Sequence, residues 1–272
     1  MFIETMKNVR EQCPLTHCIT NYVTVNGCAN ALLAVGGSPI MADDIDEVAE
    51  ITAISRALVI NIGTLNARTV KSMVKAGITA NEKGIPVVLD PVGAGASTLR
   101  NQAVAELMEK VQFTVIRGNI SEVKNVYDGS GKAHGVDVDM ADVNAVPEEL
   151  AAFAKGLSRR TGAVIAITGK VDVVADSERV ALISNGTPRL SSITGSGCML
   201  SAIIGTYVGG NSDNVWEAVV AATSLMGLSG EKAAARADEK GLGFGSFNVY
   251  LMDALSQITP EELKEGMKVE II

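Results

Sequence analysis

Four short, nearly continuous apolar runs constrain this chain more than any other feature: Ala57–Asn61, Ile85–Leu89, Phe113–Ile116 and Ala163–Ile167. Apolar at almost every position and β-branched in part, they suit strands buried on both faces of a parallel sheet. Stretches of helical periodicity lie between them. In 66–82, Val70, Met73, Val74 and Gly77 form one stripe, while Arg68, Lys71, Lys75 and Glu82 stay outside. In 98–112 the inward positions are Leu99, Ala103, Leu107 and Val111. Strand–helix–strand alternation requires right-handed crossovers. The expected fold class is therefore a layered α/β architecture with a mostly parallel sheet flanked by helices. After residue 168 the pattern changes. Residues 171–175 and 179–183 read as a hairpin, Asn185-Gly186 as a turn, and 196–208 and 214–236 as longer helices. The Gly/Asp-rich stretch 127–142 reads as a surface loop or flap. With no internal repeat and no linker, residues 1–272 are expected to form a single domain.

Charge is unevenly placed. Residues 13–42 and 190–212 contain no Asp, Glu, Lys or Arg, although charged residues make up 20% of the chain. At that density a 30-residue window is charge-free only about once in a thousand. A membrane span does not explain it. The first window is broken by Pro14, Gly27, Gly36, Gly37 and Pro39, and the second holds five glycines and five serines. The N-terminus has no apolar core of a signal peptide, so a soluble, cytoplasmic protein is expected. A net charge of −8 argues against a nucleic-acid partner. The four cysteines lack paired zinc spacing, and reduced thiols are the expectation.

Ligands of open parallel sheets bind beyond the carboxyl ends of the strands. Here those ends run into Ile62-Gly63-Thr64, Asp90-Pro91-Val92-Gly93-Ala94-Gly95, Arg117-Gly118-Asn119-Ile120-Ser121-Glu122 and Thr168-Gly169. Asp90 and Glu122 are candidate Mg²⁺ acids, acting directly or through water. Taken singly, Asp90 also reads as a turn residue before Pro91, and Glu122 as a first-turn helix charge. Arg117 directly follows an apolar run, where a guanidinium meets either a phosphate or a neighbouring acid.

The sharpest local feature is Ile193-Thr194-Gly195-Ser196-Gly197-Cys198, a small-residue turn opening into an apolar helix. Converging backbone amides and the helix dipole make such a turn an anion hole. Neither a Walker A lysine nor a complete dinucleotide fingerprint is present. Cys198 falls in the first helical turn, where the dipole is expected to lower a thiol pKa, although a small buried packing residue is the plainer reading. The uncharged N-terminal window mixes apolar and neutral hydrogen-bonding side chains, Asn21 and Met41 among them. That chemistry suits a small, neutral, partly apolar ligand.

Together, Thr20-Asn21, Ser38-Pro39-Ile40-Met41, Asn61-Ile62-Gly63-Thr64, Asp90 to Gly95, Arg117-Gly118-Asn119-x-x-Glu122, Thr168-Gly169, Thr194 to Cys198 and Gly245-Ser246-Phe247 resemble the hydroxyethylthiazole kinase family of the ribokinase-like superfamily. The resemblance implies ATP-dependent phosphorylation of the hydroxyl of 4-methyl-5-(2-hydroxyethyl)thiazole, a step of thiamine biosynthesis and salvage. It implies ATP contacts at Arg117 and Thr168, and Mg²⁺-associated acids at Asp90 and Glu122. Gly195 to Cys198 become the anion hole, with Ser196, Gly197 and Cys198 its catalytic part. Asn21, Met41, Gly63 and Gly195 become the thiazole pocket. A homotrimer with sites at subunit interfaces follows too, in which the N-terminal block serves a neighbour's site. Many ribokinase-like kinases carry Asp where Cys198 stands, so a weak base is implied. The competing readings are an ADP- or ATP-dependent dehydratase of hydrated NAD(P)H, a hydroxymethylpyrimidine kinase, and a non-catalytic nucleotide-binding module.

Overall fold

The structure, a computed structural model, describes residues 2–129 and 147–272. The chain begins with α1 (Phe2–Gln12), β1 (Leu15–Ile19), α2 (Val25–Val35), β2 (Ser38–Ile40), α3 (Val48–Ile54), β3 (Ala57–Asn61) and α4 (Ala67–Glu82). It continues through β4 (Val87–Asp90), α5 (Thr98–Lys110), β5 (Val115–Asn119), α6 (Ile120–Gly129), α7 (Pro147–Thr161) and β6 (Val164–Thr168). Strands β7 (Asp172–Ala175) and β8 (Val180–Ile183) form a hairpin. A 3-10 turn at Pro188–Ser192 then leads into α8 (Ser196–Gly209), α9 (Val215–Glu239), α10 (Phe244–Gln257), α11 (Pro260–Gly266) and β9 (Val269–Ile271).

All these strands join one sheet in the order β2-β1-β3-β4-β5-β6-β7-β8-β9. The first six run parallel and the last three antiparallel. Side chains alternate between the two faces. Val59, Val88, Val115 and Ala166 point into a core shared with α8 and α9. Leu58, Ile60, Leu89, Ile116 and Ile165 point into a second core that also takes in residues of α4, α5 and α7. This is the three-layer α/β arrangement expected from the alternating runs.

The smaller side chains on the α8 face let that helix lie close to the sheet. A Cβ on Gly205 would come within 2.4 Å of Val59 and one on Gly209 within 3.2 Å of Ala57. A helix buried on all sides needs no polar face, which accounts for most of the charge-free stretch 190–212. The other stretch, 13–42, folds as β1, α2 and β2. Strand β1 is buried over four of its five residues, whereas α2 buries one face, Cys28, Ala31, Leu32 and Val35, and leaves Asn26, Asn30 and Leu33 exposed.

Three details differ from expectation. Strand β4 starts at Val87, because the Ile85 amide closes α4 on the Ala80 carbonyl and Pro86 has no N–H. Strand β5 runs on through Arg117 to Asn119, since pairing with β6 continues to Asn119–Thr168. Arg117 is thus inside a strand rather than after one. Leu99 is exposed at the start of α5, whereas Ala103, Leu107 and Val111 are buried as expected. Of the stretch 127–142, residues 127–129 end α6 and the remainder lies outside the described residues. Asn185-Gly186, expected as a turn, lies in an open segment between β8 and the 3-10 turn. Asn185 is buried, donating to the Gly266 carbonyl and accepting from the Lys268 amide.

Candidate active site

Parallel strands β1, β3, β4, β5 and β6 all finish on one edge, and their last side chains form a continuous polar row. Asn21, just past β1, donates through Nδ2 to Cys198 Sγ at 3.1 Å and to Asn61 Oδ1 at 3.2 Å. Asn61 closes β3 and donates to Asp90 Oδ2 at 2.7 Å. Asp90, fully buried, has its other oxygen, Oδ1, 3.8 Å from Arg117 Nη1. The Arg117 Nη2 group donates to Thr168 Oγ1 at 2.7 Å. In sheet order the row reads Asn21, Asn61, Asp90, Arg117, Thr168.

Helix α8 aims its N-terminus at this row. Its first hydrogen bond runs from the Met199 amide to the Gly195 carbonyl, so the amides of Ser196, Gly197 and Cys198 have no acceptor within the helix. Gly195 holds a left-handed conformation with φ of +85°, and a Cβ there would press within 2.4 Å of Thr24. A Cβ on Gly197 would lie 2.6 Å from Arg117 Nη1. Backbone amides and the guanidinium thus converge on one spot, the geometry of an anion hole.

Three buried polar atoms around that spot make no hydrogen bond of normal length, Asp90 Oδ1, Arg117 Nε and Ser201 Oγ, although the Ser201 hydroxyl is close enough to Asp90 to favour its charged form. Unsatisfied groups are rare in folded interiors, and a cluster of them marks a place built for something else to bind. Burial drives the Asp90 pKa up to about 6, with the nearby Arg117 guanidinium opposing the rise. For Cys198, burial first and the Asp90 carboxylate second push the thiol above its ordinary pKa. The expected lowering by the helix dipole is overturned: desolvation of the charged form outweighs it.

Glu122 is engaged elsewhere. It accepts from the Asn119 amide at 2.8 Å and the Gly93 amide at 2.9 Å, while Asn119 Oδ1 accepts from the Glu122 amide at 2.9 Å. This reciprocal pair caps α6, and the Gly93 bond ties the cap to the Asp90 loop. Among the described residues, no group of three or more His, Cys, Asp or Glu side chains is placed to hold a metal ion. A magnesium site does not require one, since Mg²⁺ keeps waters and takes one or two carboxylates with phosphates. Asp90 Oδ1, buried beside the anion hole 3.8 Å from Arg117 Nη1 and without a hydrogen bond of its own, is the carboxylate oxygen that could take that role.

A cavity of about 660 Å³ opens from Arg117 and Thr168 toward Gly169, Asp172 and Thr187, and is bounded by Ser196 and Gly197. Its volume is that of a pocket for a sizeable ligand. Asp172 steadies its rim by accepting from the Gly169 amide at 2.9 Å. On the opposite side of the anion hole, Gly63 packs against Asn21, with a Cβ there only 2.7 Å from the amide nitrogen. The fold therefore gathers Asn21, Gly63, Asp90, Arg117, Thr168, Gly195, Ser196, Gly197 and Cys198. Asn21 meets Cys198 of its own chain, so this N-terminal contact needs no neighbouring subunit. Met41 is half-buried just past the His17–Ile40 register pair, at the outer margin of the same edge.

Sequence reasoning missed Asn61, Asp172 and Ser201. Asn61 had a signal, as the polar residue ending an otherwise apolar strand. Asp172 and Ser201 had none, because only the hairpin and the packing of α8 carry them to the edge.

The hydroxyethylthiazole kinase family model matches residues 6–261. A hydroxyethylthiazole kinase of Clostridium acetobutylicum is 50% identical over 272 residues, covering 99% of each chain. The solved hydroxyethylthiazole kinase of Pyrococcus horikoshii superposes with a TM-score of 0.88 at 36% identity, over 100% of this chain and 98% of that one. An ADP/ATP-dependent NAD(P)H-hydrate dehydratase of Bacillus subtilis superposes with a TM-score of 0.57 at 17% identity, over 94% and 91% of the two chains. That last likeness shows the fold alone.

Proposed function

The chain belongs to the hydroxyethylthiazole kinase family, and from that premise we propose that it transfers the γ-phosphoryl of ATP to the hydroxyl of 4-methyl-5-(2-hydroxyethyl)thiazole. The observation that carries this reading is the anion hole at the start of α8. It stands between a large open cavity and the uncharged cluster of Asn21, Asn61, Gly63 and Cys198, as transfer between a nucleotide and a small neutral alcohol requires.

ATP occupies the 660 Å³ cavity, with Arg117 and Thr168 contacting its phosphates. The amides of Ser196, Gly197 and Cys198 hold the transferring group. The thiazole lies against Asn21, Gly63 and Gly195, with Met41 closing the outer side. The alcohol oxygen forms the new bond to phosphorus and its proton passes to solvent, the bond from phosphorus to the β-phosphate oxygen breaks, and ADP leaves. Phosphoryl transfer depends chiefly on positioning and charge stabilisation. Cys198, a thiol at neutral pH, therefore orients the alcohol without being a strong base. Asp90 would hold Mg²⁺ through its open Oδ1. Glu122 would share a water with it, since each of its oxygens keeps a second lone pair. When bound there, the ion supplies positive charge to offset that of the phosphates.

Residues 1–272 are read as one kinase domain, because a single sheet runs from β2 to β9. A cytoplasmic homotrimer with sites at subunit interfaces is part of the reading. Its support is the exposure of Tyr22, Val23, Leu33, Phe244 and Val249 on and beside α2 and α10, which pack together. Among the described residues no helix is long and apolar enough to cross a membrane. The deciding experiment measures ADP formation with Mg²⁺ and a panel of the thiazole alcohol, hydroxymethylpyrimidine, ribose and hydrated NADH. Turnover of the thiazole alcohol above the others is expected. An inert thiazole alcohol beside an active alternative would sink the reading.

A further inference from the structure

Arg100 is the third residue of α5, its amide capped by Ser97 Oγ at 3.3 Å. A cation in the first helical turn runs against the helix dipole, so local preference does not account for it. Among the described residues it has no carboxylate partner. Its guanidinium instead reaches back to the sheet edge and meets three backbone carbonyls. Nη1 donates to Ile62 and Val92, each at 2.6 Å, and Nη2 donates to Gly63 at 2.8 Å. Gly93, at φ of +70°, lies against the same group, and a Cβ there would approach Nε to 3.3 Å.

These contacts join two separate turns. Ile62 and Gly63 follow β3 and form one wall of the neutral pocket; Val92 and Gly93 follow β4 and belong to the Asp90 loop. Two further links join them: the Ile62 amide donates to the Asp90 carbonyl at 3.2 Å, and Asn61 accepts from the Gly63 amide at 2.9 Å while donating to Asp90 Oδ2 at 2.7 Å. Gly63 is in turn packed on Asn21, which donates to Cys198 and Asn61. The position of the Gly63 turn therefore fixes the shape of the pocket beside the anion hole. The cavity, lined by Arg117 of β5 and by residues of β6 to β8, α8 and α9, touches none of the Arg100 contacts directly and meets the Asp90 loop only through Arg117, 3.8 Å from Asp90.

We propose that Arg100 is a positioning residue that clamps the Gly63 turn to the Asp90 loop and so sets the acceptor pocket at a fixed distance from the acid. The proposal rests on the kinase reading above. It predicts a selective defect: the acceptor site loosens while ATP binding is left alone. A lysine cannot replace the clamp, because one ammonium lacks the planar fork that spans both turns.

The test compares wild type, Arg100→Lys and Arg100→Ala by steady-state kinetics, well below their melting temperatures. Wild-type turnover of the thiazole alcohol is established first; if wild type is inert, the kinase reading fails independently of Arg100. With wild type active, Arg100→Lys is expected to raise KM for the alcohol about tenfold, within the loss that a displacement of about one ångström produces. KM for ATP should stay within about twofold. Methylguanidinium added to Arg100→Ala should restore part of the acceptor KM, and methylammonium should not. If Arg100→Ala does not fold, Arg100→Lys alone decides. An unchanged acceptor KM, a loss confined to kcat, or equal shifts in both KM values would overturn the clamp.

Discussion

On the acceptor side of the anion hole, Gly63 and Gly195 leave no room for a methyl group. An added Cβ would meet Asn21 at 2.7 Å and Thr24 at 2.4 Å. On the nucleotide side the outer glycines are roomy, a Cβ on Gly169 meeting nothing nearer than the Val171 carbonyl at 3.6 Å and one on Gly186 nothing within 4 Å, while one on the deeper Gly227 would meet Asn185 at 2.7 Å. The two sides recognise their ligands differently. A small, neutral alcohol offers few polar groups, so its pocket must select by close packing. A nucleotide brings charge and length, and an open cavity ending in amides and a guanidinium can hold it without tight walls.

Substitutions can break this contrast, most sharply where the two sides meet. Gly197→Asp would drive a side chain into Arg117 and set a carboxylate where phosphate is held. A fall in kcat of about a thousandfold is expected in a coupled ADP assay, in the range seen when anion-hole donors are lost. Asp90→Asn should lower kcat by about a hundredfold and yet raise the melting temperature at pH 7. The sign follows from the pKa. Burial raises it from 3.8 unfolded to about 6 folded, so the contribution to stability is present below the unfolded value and lost as pH rises through the folded one. For the same reason wild-type kcat should fall as pH drops through about 6. A kcat flat between pH 5 and 8 would remove Asp90 from the chemistry.

Smaller effects sharpen the contrast between the sides. Gly63→Ala should raise KM for the alcohol roughly tenfold, with KM for ATP unchanged, because the methyl displaces Asn21 and not the cavity. Cys198→Ala should lower kcat by less than about tenfold, since a thiol held protonated by burial is a poor base; near-total loss with normal ATP binding would assign it a larger role. Gly169→Ala should stay within about twofold of wild type in kcat/KM for ATP. A large loss there would show the nucleotide side to be as tightly fitted as the acceptor side.

Much of this was legible in the residues themselves. The apolar runs at 57–61 and 163–167 lie within one residue of strands β3 and β6, because strands buried on both faces must be apolar throughout. Asp90 and Arg117 stood out as charges against such runs. Absence of charge was less informative than it looked. Residues 13–42 lack charge partly because β1 and one face of α2 are buried, while Tyr22, Val23 and Leu33 are exposed, and local composition does not separate pocket, core and apolar surface. Glu122 shows the same ambiguity at one side chain, since the spacing from Asn119 that suggests a metal acid is also that of a helix cap.

Sequence alone therefore determined the layered fold and the small-residue turn at Gly195 to Cys198 that opens helix α8 at the carboxyl edge of the sheet. These depend on periodicity, turn chemistry and helix termini, which are local. Tertiary structure decided the rest. It set Asn61 between Asn21 and Asp90, raised the pKa of Cys198 rather than lowering it, and brought Arg100 of α5 onto the turns after β3 and β4. Those outcomes depend on burial and on contacts between residues far apart in the chain, which no local pattern encodes.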